Sequence, residues 1–212
     1  MMVNALISAF SLSESDGASI LSKTNTILKP RIKQNMMMTC VMLRWDALNK
    51  KMYYTGAGHE FVLVYKSKEN TVYKVKSWGV ALGMVKDSTK ILKEQQIAFD
   101  PGDIIILYTD GISEARYRSE QTGLLFGVDH IVWSLMSVSI KNPENIFRQL
   151  TIDLSSWMWY KCKQYDDISI AIVGYNIEWQ LATTLLDVHT RIDPTMITEW
   201  NWWLEKLEKS TT

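Results

Sequence analysis

Apolar positions along the chain switch between a helical and a strand period, and the switches mark its elements. Val3, Leu6, Ile7 and Phe10 recur at helical spacing, Ser15-Asp16-Gly17 breaks the run, and Ile20, Leu21, Ile27 and Leu28 resume it up to Pro30. Two packed helices are predicted to open the chain. From Met37 the period becomes two: Met37, Thr39, Val41, Leu43 and Trp45 share one face, Arg44 and Asp46 the other. A turn at Asn49-Lys50 leads into Met52-Tyr53-Tyr54, and FVLVY at 61–65 and TVYKV at 71–75 flank the polar KSKEN as a hairpin.

GVALG at 79–83 and DPGD at 100–103 mark turns before the aliphatic run IIILYTDG at 104–111. Helices return after it. Asn142-Pro143 is a cap followed by a favourable first helical residue, and Ile146, Leu150, Leu154, Trp157 and Met158 form the apolar stripe that follows. ISIAIVG at 168–174 is a closing strand entered through YDD. This order predicts an α+β domain over residues 1–175, built on an antiparallel sheet. Residues 176–212 read as a Trp-rich helical extension, in which Asp193-Pro194 starts a helix with Met196, Trp200, Trp203 and Leu207 at heptad spacing.

Composition narrows the function classes. With 47% hydrophobic residues among 212 there is enough apolar material for a core, and 23 basic against 23 acidic residues leave no net field to favour nucleic acid or an anionic membrane. Cys40 and Cys162, far apart, suit neither a disulfide framework nor zinc, and point to a reducing, cytoplasmic setting. The N-terminal MMVNALISAF is too short to span a bilayer.

The candidate chemistry is acidic. Asp110 and the Asp166-Asp167 pair each sit at an end of an apolar strand, and oxygen-only ligation suits Mg²⁺ or Mn²⁺ better than zinc. Ordinary strand-end turns would look the same, since Asp and Gly are common there. In TGAGHE at 55–60 the glycines allow close backbone approach and His59 is a possible proton donor, against the plainer reading of a hydrogen-bonded histidine in a link between strands. The segment lacks the G-K-[ST] ending of a P-loop.

Taken in order, TGAGHE, GVALG, FDPGDIIILYTDGISEA, LFG at 125–127 and YDDISIAIV resemble the sporulation stage II protein E branch of the metal-dependent protein phosphatases, which have the protein phosphatase 2C fold. The resemblance implies an antiparallel β-sandwich flanked by helices. It makes Asp110 and Asp166 metal ligands, with Asp167, Thr109 and Gly111 as supporting neighbours. It further implies two Mn²⁺ or Mg²⁺ ions and hydrolysis of phosphoserine or phosphothreonine on a phosphorylated regulatory protein in bacterial signalling. Members of the branch carry, before the first helix, a D-x-S/T-G-H-G-like segment whose Asp bridges both ions. MMVNALISAF corresponds to the helix after it, so the expectation is an N-terminally truncated domain with weakened ion binding, from a longer parent with an upstream sensor domain. The alternative expectation is an inactive phosphatase-fold module that binds a protein partner, with the Trp-rich tail as its contact surface.

Overall fold

The computed structural model describes residues 2–117, 123–158 and 166–175, together with the backbone of 181–188. The chain divides into two compact units, one built on Met1–Asp103 and the other on Ile104–Asn176 and the last described strand.

In the first unit, α1 (Met2–Phe10) and α2 (Gly17–Leu28) are the two opening helices. The break between them is a helix cap: Asp16 is extended, and its carboxylate accepts the Ser19 amide at 2.9 Å and the Ser19 hydroxyl at 2.7 Å. Pro30 closes the run in a 3-10 turn, Lys29–Arg31. Strands β1 (Cys40–Asp46) and β2 (Lys51–Ala57) pair antiparallel across the expected turn, where Asp46 accepts the Asn49 amide at 3.0 Å and Lys50 takes a positive φ of 52°. The hairpin of β3 (Phe61–Lys66) and β4 (Thr71–Lys76) also stands where the alternation put it.

Two features of this unit depart from the sequence reading. The strand expected from Met37 begins at Cys40, because Met38 exchanges backbone bonds with Leu82 instead of joining the β2 ladder. A short strand that periodicity missed, β5 (Glu94–Ile97), adds to the free edge of β2. It is held by charge as well as ladder: the Glu94 carboxylate takes Arg44 Nε at 3.0 Å, Arg44 Nη2 at 2.6 Å and the Gly17 amide at 2.7 Å, tying α2 to the sheet. Beneath, Leu21 and Leu28 of α2 pack with Ala57, Leu82 and Leu92.

The DPGD turn is less ordinary than its composition suggests. Asp103 is buried, receives the amides of Ser67 at 2.9 Å and Asp100 at 2.8 Å, and forms an ion pair with Lys66. A buried charge needs that set of donors to be tolerated.

The second unit starts with β6 (Ile104–Tyr108), whose Ile104, Ile105, Ile106 and Tyr108 are buried. It continues through α3 (Asp110–Ser113), α4 (Gly127–Ser137), α5 (Pro143–Met158) and β7 (Ile168–Tyr175) to β8 (Leu181–Val188). β6 pairs with β7, and β7 with β8, all antiparallel. α5 begins as expected, with Asn142 Oδ1 accepting the Asn145 amide at 2.8 Å, and buries Ile146, Leu150, Leu154 and Met158. The helix α4 was not singled out from sequence. Leu181–Val188, inside the segment expected to be a helical extension, is a strand in register with β7; the ladder along the open edge of β7 prevails over the helix-favouring Leu and Ala of LATTLLDV. The helix expected from Asp193 and the tryptophans at 200 and 203 lie outside the described residues. Among the described residues no helix is long and apolar enough to cross a membrane.

Candidate metal and phosphate site

The run from β6 into α3 shows how an aliphatic strand delivers a carboxylate to a sheet rim. Burying each of the three isoleucines of β6 contributes about 1.5–3 kcal/mol, which fixes the strand and therefore where it ends. At that end Thr109 adds one more rung to the β7 ladder, its amide donating to Ser169 O at 3.0 Å. Its hydroxyl completes a clip: Thr109 Oγ1 donates to Asp167 O at 3.1 Å and accepts the Ser169 amide at 2.9 Å. The chain then turns at once into α3, with the Ile112 amide on Thr109 O and the Glu114 amide on Asp110 O at 2.8 Å.

Gly111 is what lets that turn close. A Cβ at this position would lie 2.3 Å from Asp167 O and 3.2 Å from Asp166 O, so only glycine allows the α3 backbone to rest against the start of β7. TDG and the Asp166-Asp167 pair, 55 to 58 residues apart in the chain, are therefore adjoining backbone segments, and Asp110, Asp166 and Asp167 are all exposed at this place. The Asp166 carboxylate also accepts the Asp167 amide at 2.8 Å, which sets the turn entering β7. Behind α3, the Ala115 carbonyl accepts the Phe126 amide at 2.8 Å and the Trp157 indole N–H at 3.1 Å, holding the α3 exit against α5.

His59, the possible proton donor, is half-buried in the first unit on the link from β2 to β3, just after Gly58, whose φ of 76° bends that link.

Exposed carboxylate oxygens on two adjoining segments match a hard divalent cation in donor chemistry, and Mg²⁺ commonly takes only one or two carboxylates while keeping several waters. A two-ion centre asks for more. Among the described residues no group of three or more His, Cys, Asp or Glu side chains is arranged to hold an ion. In donor chemistry the carboxylates of Asp110 and Asp166 suit a hydrated divalent cation, while among the described residues they do not by themselves supply the donors of the ion pair expected from the resemblance.

A sequence model of the family described as Stage II sporulation protein E (SpoIIE) matches residues 1–176. The chain belongs to that family. The chain is 27% identical over 99 residues to the phosphoserine phosphatase RsbU of Bacillus subtilis, covering 47% of this chain and 29% of that protein. It is 41% identical over 76 residues to the protein IcfG of Synechocystis, covering 36% of this chain and 12% of that one. The chain thus spans less than a third of the curated relatives it matches. In fold it is similar to the SiaA-PP2C domain of Pseudomonas aeruginosa, with a TM-score of 0.63 and 20% identity over 81% of this chain and 65% of that one. It is likewise similar to the PP2C phosphatase domain with a regulatory fragment of SpoIIE from Bacillus subtilis, with a TM-score of 0.64 and 16% identity, over 80% of this chain and 47% of that one. These likenesses establish the α+β fold of the protein phosphatase 2C class, helices with two antiparallel sheets.

Proposed function

We propose that this SpoIIE-family chain is part of a protein phosphatase that hydrolyses phosphoserine or phosphothreonine on a regulatory protein in bacterial signalling, in the cytoplasm. The observation that carries the reading is the close approach of Gly111 to the Asp166-Asp167 backbone, which brings an exposed Asp110 beside an exposed Asp166. The antiparallel pairing of β6 with β7 puts these two strand ends side by side, and the glycine lets their backbones come into contact.

In this reading Asp110 and Asp166 would hold a divalent cation, Mn²⁺ or Mg²⁺, which when bound supplies positive charge to neutralise phosphoryl oxygens. Thr109 and Gly111 position Asp110 through the hydroxyl clip and the close backbone contact, and Asp167 contributes its carbonyl to both. His59 is kept as a candidate proton donor of the first unit. One observation favours a second reading, a phosphatase-fold module that binds a protein partner without turnover: the described residues offer a carboxylate pair where the family reaction uses two ions.

Titration of the 212-residue chain with Mn²⁺, followed by calorimetry, tests the site, and phosphate release from a phosphoserine protein tests the reaction. Weak Mn²⁺ binding is expected, reduced at least about tenfold in Asp110→Asn and in Asp166→Asn. Unchanged affinity in both variants removes these residues as ligands. Binding without phosphate release, by this chain and by any longer protein that contains it, selects the non-catalytic module.

A further inference from the structure

The first unit carries an exposed feature that the phosphatase reading does not use. After the turn at Lys29–Arg31, every residue from 33 to 39 is exposed, and within it Met36 is 56%, Met37 65% and Met38 37% exposed; Met84, on a separate loop, is 59% exposed. Four methionines this exposed on two adjoining segments are unusual, and methionine suits surfaces that must adapt to a partner's side chains.

The two segments form one platform. Met38 and Leu82 exchange backbone bonds at 2.9 and 2.8 Å. Gly83 fits so closely that a Cβ there would lie 2.2 Å from Ile32 Cδ1 and 3.2 Å from Met36 O. From α2, the Asn25 side chain accepts the Gly83 amide at 2.7 Å and donates to Val85 O at 3.1 Å, while the Lys29 ammonium donates to Gly83 O at 2.7 Å. The methionines are thus displayed on anchored backbone.

Charge indicates what covers them. Residues 29–39 and 81–87 contain Lys29, Arg31, Lys33 and Lys86 against one acid, Asp87, and Arg31, Lys33, Lys86 and Asp87 are exposed. In a chain of zero net charge this is a local excess of basic residues on the two segments that carry the methionines. We propose that this methionine platform docks an amphipathic helix of a partner protein, with apolar side chains on the thioethers and acidic residues against Arg31, Lys33 and Lys86. A basic excess favours acidic flanks by complementarity, and an amphipathic helix presents apolar and acidic positions together. A lipid surface fits less well, because interfacial segments are themselves amphipathic helices and residues 33–39 are not helical.

The probe is a fluorescent peptide of about five helical turns, with leucines on one face and glutamates on the flanks, read by anisotropy against the full chain; a lysine-flanked version and phosphatidylserine vesicles are controls. The glutamate peptide is expected to bind and the lysine peptide not. Binding should fall about tenfold when Met36, Met37 and Met84 are all changed to Gln, and Lys33→Glu with Lys86→Glu should reverse the preference toward the lysine peptide. All five positions are exposed, and circular dichroism verifies that both variants fold. No binding of the glutamate peptide, equal binding by the glutamine variant, or an unreversed preference overturns the proposal. So does vesicle binding that these variants lose while peptide binding is unaffected.

Discussion

Gly111 has the least freedom to vary of any residue at the candidate site. The missing Cβ is what keeps α3 against the start of β7, so Gly111→Ala must push the two segments apart. The expected cost is about 1–3 kcal/mol in denaturant unfolding, as for other forced overpacking, with a loss of Mn²⁺ affinity that Asp110→Asn does not deepen further. An unfolding midpoint equal to that of the unaltered chain would show that the contact is not needed. Asp110 and Asp166 were legible from sequence as acids at strand ends, but that they come together was implied only by the family resemblance, since periodicity gives faces and not which ends meet. Asp103 makes the same point from the other side. DPGD reads as a turn by composition, and only the structure shows its last carboxylate buried and collecting two amides and Lys66.

Elements with strong local signals stood where the pattern put them, and those without did not. α2 and α5 have both periodicity and a cap, and each cap is seen as a side-chain bond to a backbone amide, from Asp16 to Ser19 and from Asn142 to Asn145. β5 is four residues of Glu, Gln and Ile with no alternation to detect; it is a strand because Arg44 and the β2 edge make it one. Asp16 allows a test at this scale. Partial burial raises its pKa, but bonds from the Ser19 amide and hydroxyl outweigh that and leave it lowered. A lowered folded-state value means the cap's stabilisation is complete at neutral pH and is lost as pH falls through and below the usual carboxylate range. Asp16→Ala should cost about 1 kcal/mol at pH 7, measured by urea unfolding, and the difference from the unaltered chain should shrink toward acid. A difference that stays constant down to the lowest pH at which the chain folds would place the effect elsewhere.

At the scale of the whole molecule, membership of the SpoIIE family was legible because several short motifs recur in order, which neither composition nor any single motif would have shown. The boundary of the domain was not. The family match ends at residue 176, the sequence reading ended the domain at 175, and yet β8 (Leu181–Val188) lies beyond both and pairs with β7 along its whole length. That pairing sets how the protein can be shortened. A polypeptide stopped at residue 176 would leave ISIAIVGY with one row of amides and carbonyls open, in a strand with no charged residue to deter a second copy. Such a piece should aggregate, measured by light scattering during refolding, whereas one stopped at residue 188 should remain monodisperse. The last eight-residue strand serves as a guard against self-association, and any dissection of this domain has to keep it.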